Sequence, residues 1–352
     1  MSLNLPEIRQ FNDEPFNDVC ERLVAMRPEI NGAQEWPKRQ MALFCESGAT
    51  AIFIPAQYGG AGWSNEDRLR AMLRFSESCL ASTFVLSQHL GALKRVLFRS
   101  DEPYFRRRIG SYLSGSRFAS LGLSHLHAKG RTSLTAEFVK GGISLRGRIP
   151  WVTGASRVHD VYIGARVDAD TVVFALCAMS SSATIIIDEP GSLAALSETE
   201  TASISFRDHF IPTEHVLGVG DDIRFGLSTG GANGCAMALG HAGAALSAME
   251  RLASEREDSE LSRHVSGFNL QWCALRDRLL SPLADLIQLR SECNAAALSF
   301  SQSLLLIQRG SGFHQGMLAQ HLCRQALFFL VWSNPLVARD HLLTHWSGLT
   351  LN

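Results

Sequence analysis

Strand-like sequence is confined to one block in the middle of the chain, residues 117–222, and helix-like sequence lies on both sides of it. Runs such as "VHDVYIGARV" and "TVVFALCAM" are rich in β-branched and aromatic residues, and "KGG" separates two alternating runs as in a hairpin. Helices, then strands, then helices form an α+β order, not an alternating βαβ order. We therefore predict a helical domain over residues 1–116, a β-domain over 117–222 and a second helical domain over 223–352.

Local signals support the two helical domains. Ser64 precedes acidic residues and an apolar stripe that contains Leu69, Met72 and Phe75, which is typical of a capped amphipathic helix. In the third zone, "GGANGCAMALGHAGAAL" is dense in Gly and Ala, although each glycine costs a helix about 1 kcal/mol. We expect another backbone or a ligand to approach it closely. The segment 262–300 then predicts one long amphipathic helix, followed by a helix, a glycine break and another helix.

Charge and cysteine usage exclude several classes of protein. With a net charge of −1 and a pI near 6.9, the chain lacks the excess positive charge that is typical of nucleic-acid-binding proteins. The short basic segment "FRRRIG" is expected to form a solvated helix face. The eight cysteines lie far apart, without C-x-x-C or zinc spacing, so we expect no metal site and a reduced, cytoplasmic protein. No signal peptide, membrane-spanning run or G-x-G-x-x-G nucleotide motif is visible.

Four motifs in sequence order resemble those of the acyl-CoA dehydrogenase superfamily. "PAQYGGAGW" is similar to P-x-x-Y-G-G-x-G, "RIPWVTGASRVHDVYIGARV" to the W-[IV]-T-x-G strand pair, "ISFRDHFIPTEHVLG" to the F-x-[DN]-x-x-[VI]-P signature, and "LVARDHL" to V-A-R-[ED]-H. The resemblance implies an N-terminal helical domain, a middle β-barrel-like domain and a C-terminal four-helix bundle. It also implies FAD between the β-domain and the C-terminal helices, and a homodimer or homotetramer.

The resemblance assigns cofactor-binding roles to five residues. Trp151 would lie against the isoalloxazine ring, and Thr153 would offer a hydrogen bond to flavin N5. A flavin needs an apolar wall and a polar group near the atom that takes a hydride, so these residue types suit the role. The strand "FASLGLSHL" matches the family strand that ends in Thr-Glu-Pro, so Ser124 takes the hydroxyl position, and Leu121 and Leu123 offer backbone contacts.

The chain departs from the family at the catalytic base. The resemblance implies a glutamate that removes the substrate α-proton, but Trp332, Ser333 and Asn334 stand where Tyr-Glu-Gly is expected. The second position used in the family falls near Gly230 and Gly231, again without an acid. "KGR" at 129–131 also replaces the flavin-contacting Gly-Ser-Asp. Flavin attachment is therefore expected to differ, and reduced flavin could come from a reductase partner.

Three hypotheses remain open from the sequence. The first is an oxygen-using monooxygenase or oxidase of secondary metabolism, which acts on a small or acyl-thioester substrate and needs no α-proton base. Its catalytic candidates are His89, Ser124 and Ser333, and its substrate contacts are Arg324 and Trp332. His89 is otherwise a half-buried structural histidine, and Arg324 a structural arginine.

The second hypothesis is an α,β-dehydrogenase of acyl-CoA or carrier-bound acyl groups, with its base moved to Asp340 or Glu77. The third is a flavin-less scaffold that has lost catalysis. In all three, we expect His314, His321, His341 and His345 at the surface or at an interface.

Overall fold

The structure is a computed structural model that describes residues 8–27, 35–127, 134–179, 182–220, 231–332 and 334–348. The predicted Ser333, Gly230 and "KGR" 129–131 lie outside the described residues. Helices precede and follow one block of strands, so the predicted α+β fold is confirmed. The first helices are α1 (Glu14–Ala25), α2 (Lys38–Glu46), α3 (Asn65–Ser78), α4 (Leu80–Val96) and α5 (Pro103–Leu113).

The strands form one mixed sheet. They are β1 (Ala119–Gly122), β2 (Leu134–Val139), β3 (Gly142–Val152), β4 (Asp160–Arg166), β5 (Val172–Ala178), β6 (Ile185–Ile187), β7 (Ala202–Pro212) and β8 (Val216–Val219). Their order is β6-β7-β3-β2-β4-β5-β8, and β1 pairs in parallel with β4. The predicted hairpin at "KGG" is confirmed, since Val139 pairs with Gly142 across a two-residue turn in which Gly141 has φ of 84°.

The second helical region contains α6 (Ala232–Glu255), α7 (Ser259–Leu280), α8 (Leu286–Gly312), α9 (Leu318–Ala326), α10 (Phe328–Val331) and α11 (Leu336–Ser347). The prediction of one helix over 262–300 was wrong, because the chain breaks between α7 and α8. Pro282 lacks an N–H and disfavours helical geometry at Ser281, which is extended (φ −72°, ψ 134°). Asp285 then starts α8 by accepting hydrogen bonds from Ile287 N and Gln288 N.

Two other local predictions agree with the structure. Ser64 caps α3, where its Oγ accepts a hydrogen bond from Asp67 N at 3.0 Å. The small residues of α6 permit close packing, because a Cβ at Gly240 would overlap the carbonyl oxygen of Leu73 on α3. The glycine-rich start of the third zone therefore serves helix–helix contact.

A buried ion cluster joins the first helices to the sheet. The fully buried carboxylate of Asp160 on β4 accepts hydrogen bonds from Arg117 at 3.0 and 3.1 Å and from the Tyr112 hydroxyl at 2.9 Å. Arg108 lies 3.6 Å from the same carboxylate. Arg108 belongs to "FRRRIG", so that segment is only partly the solvated face that was predicted. Within the described part of the chain, no helix is long and apolar enough to cross a bilayer.

Candidate functional site

Trp151 is directed outward by an irregularity at the end of β3. Ile149 pairs with Ile204 and Val152 with Ala202, so β3 contains one residue more than β7 between these pairs. Such a bulge changes which face each side chain occupies, and both Ile149 and Val152 are fully buried. The indole of Trp151 between them is 56% exposed, which is unusual for so large an apolar group.

Thr153 follows Trp151 with a buried hydroxyl. Its Oγ1 accepts a hydrogen bond from the Thr201 hydroxyl at 3.5 Å, which leaves its own O–H available as a donor. The next residue, Gly154, packs under the ring of Trp36, and its N–H bonds to the Thr199 carbonyl at 2.9 Å. Hydrogen bonds thus hold the chain where it leaves the sheet, directly after the exposed Trp151 and the buried Thr153.

The other predicted cofactor residues lie at the end of β1. Leu121 is half-buried, Leu123 is buried, and Ser124 is exposed at the start of a single 3₁₀ turn, Ser124–His127. His125 inside this turn is fixed by a 2.8 Å hydrogen bond between its Nε2 and the carbonyl oxygen of Gly164 on β4. Ser124 therefore presents its hydroxyl from an anchored turn.

The helix α4 connects this strand end with the C-terminal helices. Gly91 on α4 faces Leu121, because a Cβ there would meet the Leu121 side chain at 2.7 Å. Two turns earlier, Phe84 packs edge-to-face on Trp332 with ring centroids 5.2 Å apart. At 1.5 Å rise per residue, Phe84 and Gly91 are separated by about 10 Å along the helix axis. One helix face therefore spans both predicted groups of residues.

His89 lies on α4 but in its buried part. Its Nδ1 accepts the Ala119 N–H at 3.1 Å, and its Nε2 lies 3.3 Å from the Tyr112 carbonyl oxygen. Burial lowers the pKa of His89 to about 4, so the ring stays neutral at physiological pH. Both ring nitrogens contact the backbone, one in α5 and one in β1, and a catalytic role for His89 stays a prediction.

Trp332 belongs to an aromatic cluster that also contains Phe84 and Phe328. The Trp332 and Phe328 rings are stacked, 5.2 Å apart with an interplanar angle of 13°. Trp332 is half-buried at the end of α10, so a substrate-binding role stays a prediction. Arg324, the other predicted substrate contact, is exposed on α9.

Arg290 on α8 is a fully buried arginine next to this cluster. Its Nη2 donates to the Trp332 carbonyl at 3.1 Å, and its Cζ lies 5.2 Å from the indole centroid and 5.8 Å from the Phe329 centroid. Its Nε and Nη1 have no hydrogen-bond partner among the described residues. Burial lowers the pKa of the Arg290 guanidinium, but not enough for arginine to act as a base.

Neither acid that was considered as a relocated base is free of partners. Glu77 accepts hydrogen bonds from Arg74 at 2.7 Å and from Ser247 at 3.0 Å, beside a cleft of about 230 Å³ between α1, α3 and α6. Asp340 is exposed and paired with Arg339 at 2.6 Å. Both carboxylates are therefore engaged in ion pairs.

The structure also reveals features of α4, α8 and α9 that the sequence analysis did not predict. The half-buried Ser87, Gln88 and Gly91 share one face of α4, and their i, i+4 spacing was a usable signal. Arg290 is in helical register with Cys293, on the buried side of α8. His321 was expected at the surface or at an interface; it is 5% exposed and lines the same small cavity as His241.

Comparisons with known proteins agree with this architecture. No family model matches the chain. The probable acyl-CoA dehydrogenase YngJ of Bacillus subtilis is 24% identical over 284 residues, which cover 76% of this chain and 73% of that protein. Among solved structures, butyryl-CoA dehydrogenase from Megasphaera elsdenii superposes with a TM-score of 0.78 at 15% identity, covering 99% of each chain. The FAD complex of PigA superposes with a TM-score of 0.75 at 16% identity, covering 96% of this chain and 98% of that one.

The structural likeness concerns the fold, and the sequence likeness to YngJ extends over all three regions of that fold. This architecture is the acyl-CoA dehydrogenase fold, and the chain is similar in sequence to acyl-CoA dehydrogenases.

Proposed function

We propose that this protein is an FAD-dependent oxidoreductase that uses molecular oxygen, as a monooxygenase or oxidase of an acyl thioester or another small substrate. The observation that carries the proposal is the buried guanidinium of Arg290 against Trp332. The resemblance places a glutamate base next to this position. Trp332, Ser333 and Asn334 supply no carboxylate there, and a guanidinium cannot accept a proton, so α-proton removal would lack its usual acceptor, whereas oxygen chemistry does not require one.

The described carboxylates support the same conclusion. Glu77 is held by Arg74 and Ser247, and Asp340 by Arg339 at the surface. A general base must reach its proton within hydrogen-bond distance, and both of these groups are already engaged elsewhere. Neither is therefore our choice for a base.

The residues at the sheet edge fit FAD. Trp151 has an exposed face that can cover a flat ring, Thr153 has a hydroxyl proton to donate, and Ser124 presents a hydroxyl from a rigid turn. We propose that these three side chains, with the backbone of Leu121 and Leu123, hold the flavin ring. When bound, FAD supplies the redox centre that exchanges electrons with substrate and oxygen.

The chain's own residues would then shape the pocket. Phe84, Phe328 and Trp332 form an apolar wall that excludes water, which strengthens every polar interaction inside. Ser124 would donate or accept a hydrogen bond at the flavin edge. The role of Ser333 stays a prediction from the sequence.

We further propose a homodimer or homotetramer. Large apolar side chains are exposed on α10, α11 and the end of α8, and monomeric surfaces rarely carry such a concentration. They are Phe313, Val331, Leu336, Val337 and Trp346. A reductase that delivers reduced flavin is a partner compatible with the oxygenase proposal.

One experiment tests the proposed function. The purified protein, saturated with FAD, is mixed anaerobically with butyryl-CoA while the absorbance of oxidised flavin is followed. We expect no bleaching. After chemical reduction, admission of oxygen should give product or peroxide at a rate that Trp151→Ala lowers. Bleaching by butyryl-CoA would overturn the proposal and favour the dehydrogenase. If the Glu77→Gln variant then showed no bleaching, Glu77 would be the base. Failure to bind FAD would favour the scaffold.

A further inference from the structure

Two buried thiols meet where α6 and α8 pack together. Cys235 lies in the first turns of α6 and Cys293 in the second turn of α8, and both are fully buried. The Arg290 side chain, one turn before Cys293 on α8, reaches Gly234, the residue before Cys235, so both cysteines lie at the same part of the α6–α8 contact. The Sγ of Cys235 also lies 3.8 Å from the carbonyl oxygen of Leu286, at the start of α8. A covalent bond between these thiols would join two helices that already contact each other.

Arg290 supplies a positive charge to this pair. It lies one turn before Cys293 on α8, and its Nη1 approaches α6 so closely that a Cβ at Gly234 would overlap it. Among the described residues, its Nε and Nη1 have no hydrogen-bond partner, and no ion pair to a carboxylate is seen. A buried, uncompensated cation is costly, so a nearby group that can become an anion is favoured. The Cys235 thiol, adjacent to Gly234, is such a group.

We propose that Cys235 and Cys293 form a peroxide-reactive dithiol that closes to a disulfide between α6 and α8. Cys235 is the attacking thiol and Cys293 the resolving thiol. The proposal is independent of the function proposed above, because it requires only the thiols, Arg290 and a peroxide.

The two thiols differ in acidity for a physical reason. Hydrogen bonding from the Cys293 thiol, together with the charge of Arg290, lowers the pKa of Cys235 in spite of its burial. Cys235 also lies near the N-terminus of α6, where the helix dipole favours a negative charge. Cys293 remains the protonated donor of the pair, which suits a resolving thiol.

The chemistry balances with hydrogen peroxide as the oxidant. The Cys235 thiolate attacks one peroxide oxygen, the O–O bond breaks, and the products are a sulfenic acid and hydroxide. The Cys293 sulfur then attacks the Cys235 sulfur, an S–S bond forms, and a second hydroxide leaves. The two protons of the thiols convert both hydroxides into water. The dithiol loses two electrons, and peroxide gains them.

Cys235 lies close to the exposed start of α6. The N-cap of α6, Gly231, is exposed, Ala232 and Asn233 are half-buried, and Gly234 has no side chain. Cys235 therefore lies about one helical turn, or about 5 Å, from the surface along the helix. Larger alkylating reagents should be excluded, so selectivity for peroxide over iodoacetamide in the folded protein is expected.

The test uses the full chain, treated with hydrogen peroxide, quenched, denatured, alkylated and mapped by mass spectrometry without reduction. We expect a cross-link between the peptides of Cys235 and Cys293. Cys177, buried on β5 with its pKa raised by burial to about 12, should stay a free thiol and is the internal control. In Cys293→Ser, a sulfenic acid at Cys235 should be trapped by dimedone, whereas in Cys235→Ser, Cys293 should not react.

Variants of Arg290 provide a second test of the proposal. Arg290→Met should slow peroxide oxidation of Cys235 about ten-fold, the effect of one pKa unit, whereas Arg290→Lys should slow it less. If Arg290→Met does not fold, the dimedone result in Cys293→Ser decides. Free Cys235 and Cys293 after complete oxidation of the half-buried Cys45 and Cys273 would overturn the proposal. So would equal reaction of Cys235 and Cys177.

Discussion

Arg290 donates a hydrogen bond from Nη2 to the Trp332 carbonyl at 3.1 Å while its guanidinium carbon lies 5.2 Å from the centroid of the Trp332 indole. The contact joins α8 to the end of α10 with a cation that has no carboxylate partner among the described residues. Replacement of a buried charge by an apolar residue of similar size is often neutral or stabilising.

We therefore expect Arg290→Met to change the free energy of unfolding by less than about 1 kcal/mol, or to raise it. Arg290→Ala should lower it by about 2–5 kcal/mol, because it leaves a cavity. Urea unfolding of both variants checks this. A loss of more than about 3 kcal/mol in Arg290→Met would mean that the guanidinium is paired with an anion in the folded protein, for which an ionised Cys235 is the candidate.

Trp151→Ala should weaken FAD binding about ten-fold or more, since stacked aromatic contacts are each worth about 0.5–1.5 kcal/mol beyond their buried area. Because the indole is 56% exposed, stability without flavin should change by only about 0.5 kcal/mol. Flavin fluorescence titration and thermal melts measure the two effects. Phe138→Ala is the matched control, since Phe138 is 55% exposed on β2 and should leave FAD affinity unchanged. Equal loss in both variants would contradict the assignment.

Thr153→Val keeps the side-chain volume but removes the hydroxyl proposed to face the flavin. We expect FAD to bind with an altered reduction potential and a shifted visible spectrum, because one hydrogen bond to the ring is lost. Thr201→Val removes the neighbouring hydroxyl, which donates to Thr153 at 3.5 Å, and should have a smaller effect. The spectrum and potential of each variant are compared with those of the wild type. An unchanged spectrum in Thr153→Val would remove Thr153 from the site.

Asp160→Asn should lower the free energy of unfolding by about 3–5 kcal/mol, since it removes the charge that faces Arg117 and Arg108 in a buried cluster. Asp208→Asn is the control. Asp208 pairs with Arg146 at 2.7 Å but is 60% exposed in its side chain, and such surface pairs contribute about 0–1 kcal/mol. Denaturant unfolding measures both variants. A similar small effect in the two would show that Asp160 does not join α5 to the sheet.

The sequence predicted those parts of the fold that depend on local signals. The Ser64 cap, the hairpin around Gly141 and the order of helices and strands were all confirmed. The break at Pro282 had a local signal that was not used. Burial of Arg290 depends on how α8 packs against α6 and α10, so no neighbouring residue in the sequence reveals its environment.

In the candidate site, too, the sequence predicts features with a local signal and misses features that depend on tertiary packing. Trp151 and Thr153 were predicted from a motif, and their cofactor roles stay predictions. The bulge that turns Trp151 outward is a property of strand pairing that a single strand does not display. The burial of His89 and its contacts with Tyr112 and Ala119 were not visible in the sequence, because these partners belong to other elements.

Three buried histidines predict acid-sensitive stability. Burial lowers the pKa of His89 and His241 to about 4 and that of His321 to about 3, from 6.5 in an exposed histidine. Between the lowered pKa of the folded protein and 6.5, the unfolded chain binds protons that the folded protein does not. The free energy of unfolding is therefore highest above pH 6.5 and falls as the pH falls below it. Each histidine should contribute a loss of about 2 kcal/mol at about pH 5.

The slope of unfolding free energy against pH is proportional to the number of protons taken up on unfolding. His241→Gln should therefore reduce this number by about one between about pH 6 and pH 4. The glutamine can still offer an N–H to the Leu322 carbonyl, which His241 Nε2 contacts at 3.0 Å, so the fold should persist. Urea unfolding across this pH range measures the slope. An equal slope in wild type and His241→Gln would mean that His241 can be protonated without unfolding, through an opening of the helical region that admits water.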